Sequence, residues 1–393
     1  MNSAKFILSR STYFRSCLCS KNLSSVVTLD CLTESNTKVP RTSLNVPREH
    51  TKNHIGMWYN IEPNMIKRLF TYEGIAPHLK ELTEIFRETS IMIREPAVSV
   101  IDYIQRSDLS VPPNKFILYG KHGTGKSLSL LHIIHHLAEE NWAIVHCGYP
   151  VKWCTLFKEI LPSATREGYY DHTTDASIWL QHFQLQNNII LQNPELVTME
   201  DYHWTQREIT PKGSPLTSII DFGIGRSRYA SECVFQLLKE LKQHAQEGRL
   251  KLAVVIDGIN SLYVGASHYR DTNRNFVPLN KLTLIEAFKP LLRSDWKGGV
   301  IVGSVDIIMS TKDRRESHLP RYLLTREGWE TLDPFVPILV DKYSEKEFES
   351  AVNYYLDRRW LQHPAGASKE GKEELEFLGG GYPGELLKLV NGR

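Results

Sequence analysis

Eight consecutive residues carry the clearest chemistry in this chain. Gly120-Lys121-His122-Gly123-Thr124-Gly125-Lys126-Ser127 satisfies the pattern G-x-x-x-x-G-K-[ST] at every fixed position. Glycines allow such a loop to wrap until its backbone N–H groups point at phosphate oxygens. A lysine at position 126 neutralises the β and γ phosphates, and the Ser127 hydroxyl takes a position on Mg²⁺. The spacing therefore predicts a P-loop holding a nucleoside triphosphate with Mg²⁺.

Magnesium needs a second partner, an acid at the end of a buried strand. Leu252-Ala253-Val254-Val255-Ile256-Asp257 fits, with Asp257 as the Walker-B carboxylate beside Ser127. ATPases of the AAA+ type commonly follow this acid with a Glu that activates the attacking water, and here Gly258 follows. Without that base, hydrolysis is predicted to be slow, so a structural nucleotide fits better than a motor and no catalytic residue is assigned. Ser304 ends the next apolar run, where such folds put a polar sensor of the γ-phosphate; an ordinary strand-end serine is the equal alternative. The guanine-selecting loop N-K-x-D has its nearest match in Asn280-Lys281-Leu282-Thr283, which lacks the Asp. Both GTP/GDP and ATP stay open, with base choice expected from side chains before the P-loop, around Arg94 and Pro96.

Other strings mimic function cheaply. Asp221-Phe222-Gly223 matches the kinase tripeptide without a kinase catalytic loop before it, and reads as a turn. His132, His135 and His136 share a helix with no metalloprotease Glu between them, so they read as a partly buried or surface cluster and not as a metal site. Lys312-Asp313-Arg314-Arg315, with Arg321 and Arg326, forms a basic loop, normally a solvated face but able to meet RNA phosphates. Six cysteines, three of them within the first 31 residues, show neither zinc spacing nor a disulfide framework.

These residues need elements to hold them. Phe116 to Tyr119, Trp142 to Cys147, Leu252 to Ile256 and Val300 to Gly303 are short continuous apolar runs, as expected of parallel strands buried on both faces. Phe335 to Val340 is a fifth, placed at an edge because Pro337 cannot donate to a ladder. Leu130, Ile134 and Leu137 mark a helix after the P-loop, and Ser231 to Ala245 another that Gly248 stops. Leu79 to Arg106 reads as a helix, a break at Pro96 and a second helix. Ser344-Glu345-Lys346-Glu347 is a capping box opening a C-terminal helix. Alternating strands and helices predict an α/β fold, a doubly wound parallel sheet flanked by helices.

Composition frames the rest. The 393 residues are 41% hydrophobic and 23% charged, with a net charge of +2, so no global field attracts nucleic acid and any RNA contact is local. No stretch approaches the roughly 20 apolar residues of a membrane span. Residues 1–60 are +5, and before Asp30 there is no acid while Lys5, Arg10, Arg15 and Lys21 alternate with apolar and Ser residues. That pattern is expected of a mitochondrial transit peptide. The expected organisation is a transit peptide over 1–28, an extended or disordered N-terminal arm over 29–75, a P-loop NTPase domain over 76–340 and a C-terminal helical lid over 341–393.

Taken together, several strings resemble the death-associated protein three family. They are Leu118 to Leu130, Lys212-Gly213-Ser214-Pro215-Leu216, Val255 to Asn260, Asp295-Trp296-Lys297-Gly298-Gly299, Leu332 to Val340 and Lys346-Glu347-Phe348-Glu349-Ser350. The similarity runs over roughly residues 55–390. It implies an AAA+-like P-loop fold and a GTP-binding ribosomal protein in the head of the mitochondrial small subunit, in the matrix. Small-subunit proteins and rRNA, and large-subunit contacts at the intersubunit face, would be its partners, with a reported link to apoptosis. Carried over, Gly120 to Ser127 bind phosphate and Mg²⁺ and Asp257 is the Walker-B acid. The Gly after that acid belongs to the family pattern. Tyr382-Pro383-Gly384-Glu385-Leu386 departs from general AAA+ practice, lacking the Arg a lid often gives the γ-phosphate. The competing reading is an AAA+-like mitochondrial NTPase or apoptosis-linked signalling switch, which would need a base and an arginine finger.

Overall fold

The computed structural model describes residues 38–72, 74, 77–263, 266–310 and 317–391. The expected transit peptide and the basic residues 312–315 lie outside them. The described residues fall in one compact unit, Thr37–Arg393.

Its centre is a five-stranded parallel sheet. The strands are β1 (Asn114–Tyr119), β2 (Ala143–Cys147), β3 (Leu252–Ile256), β4 (Gly299–Ser304) and β5 (Val336–Leu339), arranged in space as β5-β1-β4-β3-β2. Register is continuous: Val302 lies opposite Phe116 on one side and Val255 on the other. The apolar runs of β1 to β4 are continuous because the sheet is covered on both faces there, and successive side chains enter different layers. Ile117, Val145, Val254 and Ile301 pack on one side, against α3 (Thr173–Gln186), α4 (Thr217–Gly225) and α5 (Ala230–Gln246). Phe116, Leu118, Ile144, Val255 and Val302 pack on the other, against α1 (Glu95–Arg106) and α2 (Lys126–Glu139). Each fully buried Ile, Leu or Val contributes about 1.5–3 kcal/mol, so the two cores dominate the stability.

Strand β5 is an edge strand, paired only with β1, as Pro337 requires. Beyond it, α6 (Glu345–Asp357), α7 (Lys369–Gly379) and α8 (Pro383–Asn391) build a third cluster, in which Phe348, Val352, Tyr355 and Leu386 meet Trp58 and Met92. The capping box forms as expected, the Ser344 side chain accepting from Glu347 N and the Glu347 side chain accepting from Ser344 N.

Three local expectations are corrected. Between Leu79 and Arg106 there is a helix Pro77–Phe86, then a short strand Ser90–Met92, then α1. Ile91 lies in the strand and Ile93 just past it, both buried in the same core, and Pro96 lies in the first turn of α1, where its missing N–H costs nothing. Asp221-Phe222-Gly223 lies inside α4 and is no turn. Gly223 is demanded by packing, since a Cβ there would meet Leu180 Cδ1 at 2.4 Å. From Trp58 onward the expected extended segment is also ordered: Trp58–Asn60 pairs with Ser90–Met92, and Pro63–Phe70 is a helix with Leu69 and Phe70 buried.

Candidate nucleotide site

The loop 120–127 joins the carboxyl end of β1 to α2, the position from which a helix N-terminus presents its free N–H groups. Three glycines permit the path. Gly120, Gly123 and Gly125 have φ of 150°, 78° and 97°, and a Cβ on Gly120 would lie 2.2 Å from Val340 O. Thr124 is buried and braces the loop internally, its hydroxyl donating to Lys121 O at 3.0 Å.

Lys126 is 4% exposed. Its ammonium donates to Gly120 O at 3.1 Å and Lys121 O at 2.9 Å, and lies 3.3 Å from Asp306 Oδ2. Asp306 also lies 3.5 Å from His122 Nδ1. Burial would raise the Asp306 pKa, but the hydrogen bond from His122 and the charge of Lys126 outweigh it and bring the carboxyl down to about 2. The buried Asn260 amide fixes the Asp306 backbone, accepting from Asp306 N at 3.1 Å and donating to Asp306 O at 3.0 Å, and Ile308 N donates to the carboxylate at 3.1 Å.

Asp257 follows β3. Ser304 at the end of β4 donates to its Oδ1 at 2.5 Å and accepts from Gly258 N at 2.9 Å. Burial raises the Asp257 pKa, opposed by hydrogen bonds from Ser127 and Ser304. Ser127, Asp257 and Ser304, drawn from three parts of the chain, therefore converge, and the hydroxyl and the carboxylate provide the hard oxygens Mg²⁺ requires.

Above them is a cavity of about 320 Å³, within the range of small-molecule sites. His122, Gly123, Gly125, Lys126, Ser127 and Asp306 line its polar end. Leu128, Tyr343, Tyr355, Pro383 and Leu387 make an apolar wall, with Lys388 beside them. The wall from α8 is tied to the loop by Gly384 N, which donates to Gly123 O at 2.8 Å. Lys121 turns outward, its Nζ 4.8 Å from the centre of the Tyr382 ring.

Arg94 does not face a base. It is 7% exposed and spends its donors on protein: Glu347 Oε1 at 3.1 Å, Thr124 O at 2.6 Å and Asp341 O at 3.0 Å. It joins the P-loop to α6. Asp306 and Lys388 escaped sequence reasoning, Asp306 because it lies two residues past the strand-end serine and Lys388 because it lies two residues beyond the Tyr382 to Leu386 string. His132, His135 and His136 are all buried, and no group of three or more metal-ligating side chains occurs among the described residues.

The site and fold can be set beside known proteins. Small ribosomal subunit protein mS29 of Bos taurus is 38% identical over 357 residues, covering 91% of this chain and 89% of that one. The mS29 of Mus musculus is 36% identical over 351 residues, 89% of each chain. That of Neurospora crassa is 23% identical over 331 residues, 83% of this chain and 68% of its own. The family model described as mitochondrial ribosomal death-associated protein 3 matches residues 91–389, a span that includes the loop, Asp257, Asp306 and the facing wall of α8. The chain belongs to the mitochondrial ribosomal death-associated protein 3 family.

Proposed function

We propose that this chain is a structural constituent of the mitochondrial small ribosomal subunit that holds a purine nucleotide, GTP or GDP before ATP, with Mg²⁺. The observation that carries the nucleotide half is Lys126, buried in a glycine loop at the polar end of the cavity, with Ser127 and Asp257 at hand for the metal. The ribosomal half is supported by the names of the relatives, which cover nearly the whole chain.

In this reading the fold is an AAA+-like P-loop NTPase and α6 to α8 are its lid. The backbone of 120–127 would take the phosphates, Ser127 and Asp257 the Mg²⁺, and the apolar wall the base. The matrix would be its location, reached through the basic segment 1–28, with rRNA and large-subunit neighbours at its surface. Turnover is slow: Gly258 offers no carboxylate, and Asp306, held ionised down to about pH 2, is too weakly basic to take a proton from water.

Three measurements test this. Sucrose-gradient sedimentation of mitochondrial lysate with Mg²⁺ is expected to put the chain in the small-subunit fraction, and its absence there sinks the ribosomal half. Lys126→Ala is expected to abolish retention of GTP and ATP; retention equal to the unaltered protein sinks the nucleotide half. Single-turnover hydrolysis should fall far below the roughly 10 per second of typical enzymes.

A further inference from the structure

Three hydrogens on the Lys126 ammonium have three acceptors within reach. Two are carbonyls of its own loop, Gly120 O and Lys121 O, and the third is the carboxylate of Asp306 at 3.3 Å. The loop carbonyls are part of the cradle and stay when a ligand enters. Asp306 lines the same cavity; Asn260 holds its backbone and Ile308 N donates to its Oδ1 at 3.1 Å, so the carboxylate is tethered where it is. A phosphate that takes Lys126 has to take it from this carboxylate, and then sits beside a fixed negative charge.

We propose that Asp306 is a specificity-determining counterion that makes the site select metal-bound over metal-free polyphosphate. The inference rests on the nucleotide reading above and deepens it. Free polyphosphate and a fixed carboxylate repel each other, and repulsion at close range inside a protein costs far more than in bulk water. A Mg²⁺ carried on the polyphosphate turns that repulsion into attraction, because Mg²⁺ keeps several waters whose hydrogens suit a nearby carboxylate. Asp257 would supply the acidic side of the metal position, while Asp306 faces Lys126 and is close enough to Asp257 to raise its pKa. His122, also within reach of Asp306, is exposed.

The test is the affinity of the full chain for a methylanthraniloyl-labelled GTP, read by fluorescence anisotropy with excess Mg²⁺ and with EDTA. The unaltered protein is expected to bind much more tightly with Mg²⁺. Asp306→Asn, which keeps the shape, is expected to bind the metal-free nucleotide about tenfold more tightly than the unaltered protein while gaining nothing with Mg²⁺, so that the ratio of the two affinities collapses. Asp306→Ser should change the ratio in the same direction, which guards against an Asn-specific hydrogen bond. Equal weakening in both conditions, or an unchanged ratio in both variants, overturns the proposal while leaving nucleotide binding intact. No saturable binding by the unaltered protein, with Lys126→Ala indistinguishable from it, overturns the nucleotide reading and this inference together.

Discussion

At the scale of single residues the loop is a backbone device, and its glycines are required by space as much as by φ. Gly120 sits with φ 150° against Val340 O, so a methyl group there forces β1 and the residue after β5 apart. Gly168 is a useful contrast, with φ 73° and open space where its Cβ would be. Gly120→Ala is expected to cost upwards of about 3 kcal/mol in urea unfolding, and Gly168→Ala about 1–2 kcal/mol for its left-handed backbone alone. Equal losses would show that the contact with Val340 carries no weight. The loop, Lys126 and Asp257 are legible in sequence because each belongs to a local pattern. Asp306 is not, since nothing local marks an acid after a strand-end serine, and its role comes from a lysine on another element.

At the scale of elements, Arg94 binds three parts of the chain: α1, which it precedes; the P-loop, through Thr124 O; and α6, through Glu347. Glu347 is also the third residue of α6 and the acid of the capping box, so one of its oxygens closes the helix N-terminus while the other takes the guanidinium. Removing one member of such a buried pair leaves an unpaired charge, and Arg94→Ala or Glu347→Ala is each expected to cost about 3–5 kcal/mol. The double variant should lose much less than the sum, and additivity in a double-mutant cycle would refute the coupling. Arg94→Lys should behave nearly as badly as Ala, because one ammonium cannot span Glu347, Thr124 O and Asp341 O at once. The box itself could be read from Ser344 to Glu347, as could all five strands: β1 to β4 from unbroken apolar runs that fit burial on both faces, and β5 as an edge from Pro337. What could not be read was the strand at Ser90–Met92: two residues apart, Ile91 and Ile93 share a face only in extended chain, but three residues are too few to show a period. Gly223 likewise looked like a turn residue, and only its approach to Leu180 reveals a packing requirement.

At the scale of the whole molecule, an unusual number of histidines are buried. Burial holds His135, His136, His172 and His182 down to about pH 4, and His132 and His146 well below their ordinary value. They are neutral in the folded protein and have an ordinary pKa near 6.5 when unfolded. Above 6.5 neither state takes up these protons, so stability is flat; below it the unfolded chain binds protons that the folded chain refuses. Stability is expected to fall as pH drops from 6.5 toward 4, by up to about 1.4 kcal/mol per pH unit for each such histidine. Urea midpoints at pH 7.5, 6.5 and 5.5 check this, and a level profile would mean that these rings charge without unfolding the chain.

Val336 and Leu339 on β5 are 42% and 46% exposed, on a strand with one side unpaired, which is the recipe for stacking against another such strand. Pro337 interrupts that edge, because it has no hydrogen to offer an incoming ladder. Pro337→Val would leave the five-stranded sheet intact yet restore an uninterrupted sticky border, and turbidity at rising protein concentration should reveal aggregation that the natural sequence keeps in check.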